Sequence, residues 1–303
     1  ILMLIFIIVA VIVLSDSGVV FDNGRTIKGK EVTPFREIPC NKDIFLFYYL
    51  AKKLDIIGGD ESRENLVSGF ILKWVRDGII TIREKESGAI VKKKNYDMYL
   101  DVDAKLENKQ ETALYKMFIL ASKDGVLQTK AFQKWCSKHY KKIDDWFTKV
   151  DNVTEDSMNK NGYAKTKTIY KRFLFWNIPC DRTVWTDKAY DQCLYVWGFN
   201  NFLEDEDNMK EKAAIEVKLW DEYLIFAAVL GIADRVEKQL KVAIPRYEET
   251  STYNNFPIYY YTHTFAHNSM SAASSAASAG QGGSSSFSGG GGGFSGGGGG
   301  GVR

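Results

Sequence analysis

The chain has 303 residues, of which 45% are hydrophobic and 26% charged, and its formal charge is +2. That length and apolar fraction suffice for two or three small domains around a sizeable core, and the near-neutral balance argues against wholesale nucleic-acid binding. Four cysteines, Cys40, Cys136, Cys180 and Cys193, are too few and too scattered for a disulfide scaffold, and no CxxC pair offers a zinc or redox site. Reduced thiols in a cytoplasm fit best.

Ile1 to Leu14 is an uninterrupted run of fourteen apolar residues, short of the roughly 20 that cross a bilayer but too uniformly apolar for a soluble helix. A signal-peptide core lacking a small-x-small cleavage site and a buried strand pair are the alternatives; the expectation is a single membrane helix over 1–15, truncated at its start. Arg25, Lys28 and Lys30 follow in a juxtamembrane linker, 16–34, the flank that the positive-inside rule assigns to the cytoplasm. The rest of the chain is expected to be cytoplasmic.

Asn41 or Asp43 can cap a helix with apolar residues at Ile44, Phe47, Tyr48, Ala51 and Leu54, ended by Gly58 and Gly59. Leu66, Val67, Phe70, Ile71, Trp74 and Val75 draw an apolar stripe at helical spacing that Gly78 stops. IITIRE and AIVKKK alternate around Ser87-Gly88 and read as a β-hairpin, so 35–105 is expected to be a winged-helix-like unit. A second helical or winged-helix-like unit, 106–175, holds a helix near Glu111 to Ala121, a turn at Asp124-Gly125 and one long helix from Thr129 to about Val150, with a less evident hairpin.

FLFWNIPCDRTVW leads into a C-terminal helical region, 176–245, whose NIPCD echoes EIPCN at Glu37 as two similar helix starts. From Tyr223 to Ala233 every residue is apolar, small or glycine, and a helix apolar all round must be enclosed on every side. Such a run rises only about 16 Å, roughly half a bilayer core, so protein rather than lipid is expected around it. Beyond Pro245, the Tyr-, Ser/Ala- and Gly-rich segment 246–303 is expected to be a disordered tail that builds no core, with at most a short helix in its Ser/Ala part. The fold class is thus mainly α with small β-hairpins (α+β): tandem winged-helix-like units, a buried C-terminal helix and one N-terminal membrane helix.

LWDEYLIFAAVLGIADRVEKQL, from Leu219, together with the ending FSGGGGGFSGGGGGGVR, resembles a bacterial family of predicted membrane proteins catalogued as domain of unknown function 2207. FREIPCNKDIFLFYYLAKK, from Phe35, is similar to the family's post-membrane segment, and the helix leading into ILKWVRDGIITI to its winged-helix-like unit. The resemblance implies a membrane protein and carries no catalytic residue. Family members usually have a signal peptide and an extracytoplasmic domain before the membrane helix, and many have further spans, features not legible in this sequence.

Chemistry-bearing patterns are sparse. There is no GxxxxGK[ST] loop and no HExxH. His263 and His267 would share one face of a helix, but the neighbouring Thr and Tyr residues argue against a helix there, so no metal site is assigned. Asp101, Asp103 and the acidic run Glu204 to Asp207 lack the spacing of a calcium loop and read as solvated faces. Cys136 and His139, one turn apart, are a thin basis for a nucleophile. No enzyme activity, metal or cofactor is expected.

Two binding surfaces remain. The first hairpin carries Arg83, Lys85, Lys92, Lys93 and Lys94, with Lys73 and Arg76 expected to be exposed on the preceding helix, where a winged helix meets DNA phosphates. Asp60, Glu61, Glu64, Asp77, Glu84 and Glu86 are interleaved and nearly cancel that field. Farther on, Lys134, Lys138, Lys141 and Lys142 stand opposite Phe132, Cys136, Ile143, Trp146, Phe147 and Val150, an amphipathic pattern suited either to anionic lipid or to a core face with solvated lysines. The sequence thus reads as a membrane-anchored cytoplasmic interaction or scaffolding module whose partners are the lipid bilayer and an unidentified protein. The alternative is a membrane-tethered winged-helix regulator that binds DNA.

Overall fold

In a computed structural model, residues 19–59, 61–87, 93–173, 176–205, 217–243, 252 and 258–281 are described. The apolar run Ile1 to Leu14, Lys92, the end of the acidic run at Asp207 and the glycine segment from Gly282 lie outside the described residues, as do the side chains of Lys93 and Lys94.

Asp43 starts helix α1, Ile44–Lys53, its carboxylate accepting from Phe45 N at 2.9 Å and Leu46 N at 3.1 Å. Phe47, Tyr48, Leu50 and Ala51 are all but inaccessible, so α1 is a central strut. It ends at Lys53 rather than at the glycine pair, because Asp55 turns left-handed at φ 56° before Gly58 is reached. Helix α2, Glu61–Arg76, buries the expected stripe as far as Trp74, with Val75 partly buried, and stops before Gly78, which has φ 73°.

Strands β1, Ile80–Ser87, and β2, Lys93–Leu100, form the first hairpin, with Ile80 opposite Leu100 and Ser87 opposite Lys93. The returning strand contains KKNYDMYL, whose Met98 and Leu100 enter the core, while Ala89 to Lys92 of the expected AIVKKK lie outside the described residues. Helix α3, Lys109–Ala121, is capped by Asn108, and strand β3, Val126–Gln128, then pairs with β2 to complete a three-stranded sheet in the order β1-β2-β3. Tyr115 ties α3 to this sheet by donating to the carbonyls of Ile79 and Asp101.

The long helix expected from Thr129 is two helices, α4 over Thr129–Lys138 and α5 over Tyr140–Lys160, broken at His139 with φ −120° and ψ 29°. The segment expected to open a helical region instead forms a second antiparallel hairpin, β4 over Ala164–Phe173 and β5 over Trp176–Trp185. The boundary expected between 175 and 176 falls inside it. At its base Trp185 exchanges backbone bonds with Val20 and Asp22, each 2.8 Å. Lys165 and Lys167 flank Asp22 at 2.6 and 3.0 Å and hold its carboxyl below the ordinary range.

Helix α6, Asp187–Glu204, follows, and its Trp197, Gly198 and Asn201 have a packing role. The N-terminal strap crosses α6 at Gly198, where a Cβ would lie 2.8 Å from Thr33 O, while Gly29 sits flat against the Trp197 indole. Asn201 pins the strap by donating to Gly29 O and Val32 O, both at 2.8 Å.

Helix α7, Val217–Leu230, is enclosed as its composition demands, with every residue from Tyr223 to Leu230 buried. It ends before the apolar run does. Gly231 at φ 78° ends it in a Schellman turn, Ile232 N bonding Ala227 O and Gly231 N bonding Ala228 O, and α8, Ala233–Ala243, follows. Gly69 of α2 lets α7 approach: a Cβ there would lie 2.7 Å from Val229 Cγ2.

The largest departure is helix α9, Ile258–Gln281, within the segment expected to be a disordered tail. At 24 residues it is about 36 Å long, and it packs on α2, α4 and α5. Ile258, Tyr261, Thr262, Phe265, Ala266, Ser269, Met270 and Ala273 are buried at three- and four-residue spacing. Its hydroxyls are internally satisfied, Thr262 by Tyr259 O and Ser68 Oγ and Ser269 by Phe265 O, so they can be buried among Phe118, Phe132 and Phe265.

Candidate functional site

The lysines expected to form a basic face on one long helix stand on two helices. Lys134 and Lys138 are exposed on α4 and Lys141 and Lys142 on the first turn of α5, and none makes an ion pair among the described residues. Lys130 extends the row, so from Thr129 to Ile143 there are five lysines and no acid. The opposite faces bury Phe132, Cys136, Ile143, Trp146, Phe147 and Val150. At the join the half-exposed His139 stacks on Trp135, ring centroids 4.4 Å apart, next to half-exposed Tyr140. At the break, Trp135, His139 and Tyr140 are flanked in sequence by Lys134, Lys138, Lys141 and Lys142.

On the other basic surface, the described cations Lys73, Arg76 and Lys85 are paired with acids. Lys73 lies 2.7 Å from Glu111 and 3.1 Å from Asp77, and Arg76 lies 2.9 Å from Asp77 and 3.5 Å from Glu222. Both are half-buried, contrary to expectation, because α2 is enclosed by α3 and α7 and its cations are matched by acids of those helices and its own C-terminal turn. Lys85 lies 3.7 Å from Asp97, and the Arg83 guanidinium sits over the Tyr99 ring.

His263 and His267 do lie on a helix, against the expectation, and both face the buried Glu64 of α2, at 3.9 and 2.7 Å. The missed signal is the i, i+4 spacing itself, which the neighbouring threonines and tyrosines did not prevent from becoming helical. The cluster clamps α9 to α2. Among the described residues no group of three His, Cys, Asp or Glu is placed to hold a metal ion. Cys136 is inaccessible and burial pushes its thiol up to about 12, while His139 bonds Trp135 O through Nδ1, so this pair does not make an activated nucleophile.

Set beside known families, the segment that builds β5, α6, α7 and α8 is the informative one. Residues 172–240 match the family described as predicted membrane protein (DUF2207), C-terminal domain. The resemblance read from LWDEYLIFAAVLGIADRVEKQL therefore stands for this segment, and it falls on the enclosed helix and on the glycine and asparagine that receive the N-terminal strap. No curated protein and no solved structure matches the chain. Among the described residues no helix is long and apolar enough to cross a membrane.

Proposed function

We propose that the chain is a membrane-anchored interaction or scaffolding module, not an enzyme, whose folded part lies on the cytoplasmic face of the bilayer with the α4–α5 lysine edge against anionic lipid. The observation that carries this is the row of five lysines without an intervening acid, each worth about 1 kcal/mol near an anionic surface. The apolar run at the N-terminus and the predicted-membrane description of the matched family support the same placement. Sedimentation with vesicles tests it. The increment in binding between purely zwitterionic and phosphatidylglycerol-containing vesicles should vanish when Lys134, Lys138, Lys141 and Lys142 are changed to Gln, and should fall as salt rises. An increment unaffected by the four changes would overturn the reading.

The element order favours a second reading. Helix α3, strand β3, helices α4 and α5 and the β4–β5 hairpin follow one another as in a winged helix, in which α5 would enter the major groove. Yet α5 carries Asp144, Asp145, Asp151, Glu155 and Asp156 against four lysines, a poor match to phosphates. The DNA-binding regulator is therefore the lesser reading, and duplex binding that weakens with salt and with loss of Lys141 and Lys142 would promote it.

A further inference from the structure

The far end of α5 and the starts of α1, α3 and α6 leave an open groove of about 540 Å³, within the range of ligand sites. One wall is Gln110, only 8% exposed. Its main-chain carbonyl accepts from Trp146 Nε1 at 2.9 Å, but its side-chain amide bonds no described residue. Unlike the sealed amide of Gln239 it is not closed off, and the groove is where it opens. Water in the groove can meet this amide, and a ligand that bonds it takes that water's place.

Another part of the lining is a short 3-10 helix, Cys40–Lys42, in which three consecutive non-glycine residues are left-handed, at φ 58°, 51° and 64°. Such a backbone persists only where its surroundings hold it. Here Gln192 Oε1 accepts from Cys40 N at 3.0 Å, and the result is to set the exposed Asn41 amide at the mouth of the groove. Asn108 also lines the groove, its Oδ1 occupied in capping α3 and its Nδ2 left as a donor. Val153, 42% exposed, offers an apolar ledge.

What the groove lacks narrows the ligand. Asp43 Oδ1 is taken up in capping α1, and Lys188 Nζ donates to Asn161 O at 3.0 Å while covering the Tyr163 ring at 4.3 Å. Lys188 thus covers the Tyr163 face and leaves no bare aromatic surface for a sugar ring, while its ammonium and the Asp43 Oδ2 oxygen remain polar groups of the lining. Side-chain amides that both donate and accept match the alternating N–H and C=O groups of an extended main chain, and the Val153 ledge suits one apolar side chain beside it.

We propose that this groove binds an extended peptide segment of a partner protein. The proposal deepens the interaction role and rests on that reading only in making the partner a protein. The lysine edge is a separate surface, so loss of lipid binding would leave the groove untouched.

The test is selection from a display library of unstructured random peptides on the immobilised full chain, followed by titration of the enriched peptides. Asn41→Gly keeps the left-handed backbone and Val153→Glu changes an exposed position, so both should stay folded even if the buried change Gln110→Leu does not; melting temperatures check all three. The expected result is affinity lowered roughly three- to tenfold by Gln110→Leu or Asn41→Gly, lowered further by Val153→Glu, and unchanged when the four lysines become Gln. The proposal is overturned if no peptide is enriched over an unrelated protein, or if enriched peptides bind the groove variants as they bind the parent. Loss of peptide binding in the lysine variant, or binding of chitin or maltose oligomers that the groove variants abolish while peptides are unaffected, would overturn it too.

Discussion

Glu64 Oε2 of α2 and His267 Nδ1 of α9 lie 2.7 Å apart, although 203 positions separate them in the chain. Glu64 is 5% exposed, so removing its partner strands a buried carboxylate. His267→Ala should lower stability by about 1 to 3 kcal/mol, and Glu64→Gln combined with His267→Ala should cost less than the two single changes added together. Urea unfolding of the four proteins measures this, and strictly additive losses would show that the contact contributes nothing.

Helix α9 should be part of the core. Phe265 is 1% exposed and stacks on Phe132 at 5.2 Å, whereas Tyr260 on the same helix is 72% exposed. Phe265→Ala is expected to cost about 3 to 5 kcal/mol and Tyr260→Ala within about 0.5 kcal/mol of nothing. Equal melting temperatures for the two variants would contradict the packing of α9.

Gly69 marks the closest approach of α2 and α7. Adding a methyl there would bring it 2.7 Å from Val229 Cγ2, and overpacking of this kind costs about 1 to 3 kcal/mol. The gain in helix propensity from Gly to Ala, about 1 kcal/mol, offsets only part of it. Gly69→Ala should therefore destabilise, and Val229→Ala in the same chain should recover part of the loss, as read by thermal unfolding. A Gly69→Ala protein more stable than the parent would place the helices farther apart.

The thiols of Cys40, Cys136 and Cys193 are buried, and desolvation raises all three above the ordinary cysteine range. Thiolate is the reactive form, and a raised folded-state pKa keeps it scarce at every pH below the folded value. With Cys180 changed to Ser, a thiol reagent at pH 8 should label the native chain no faster than it unfolds, and should label three sites at once in denaturant. Prompt labelling of native protein would show that one of the three is open.

Much of the local structure was legible because it is encoded within a turn. The Asp43 cap, the stripe from Leu66 to Trp74, the turn at Asp124-Gly125 and the enclosed run after Tyr223 each state their own geometry through a side chain bonding a nearby amide or a repeat near 3.6. The lysine edge was legible for the same reason, since charge and burial alternate along α4 and α5. Tertiary structure alone decided the rest. Nothing near Thr262, Ser269 or the two histidines of α9 reveals that hydroxyls and imidazoles will be matched by Ser68 and Glu64 some two hundred residues earlier, and without those partners a Ser- and His-rich segment has no reason to enter a core. The second hairpin, polar along much of β4, is likewise held at its base by Val20 and Asp22. Periodicity can say that a face is apolar; which surface it meets, and which polar groups that meeting satisfies, depends on contacts that close only when the whole chain has folded.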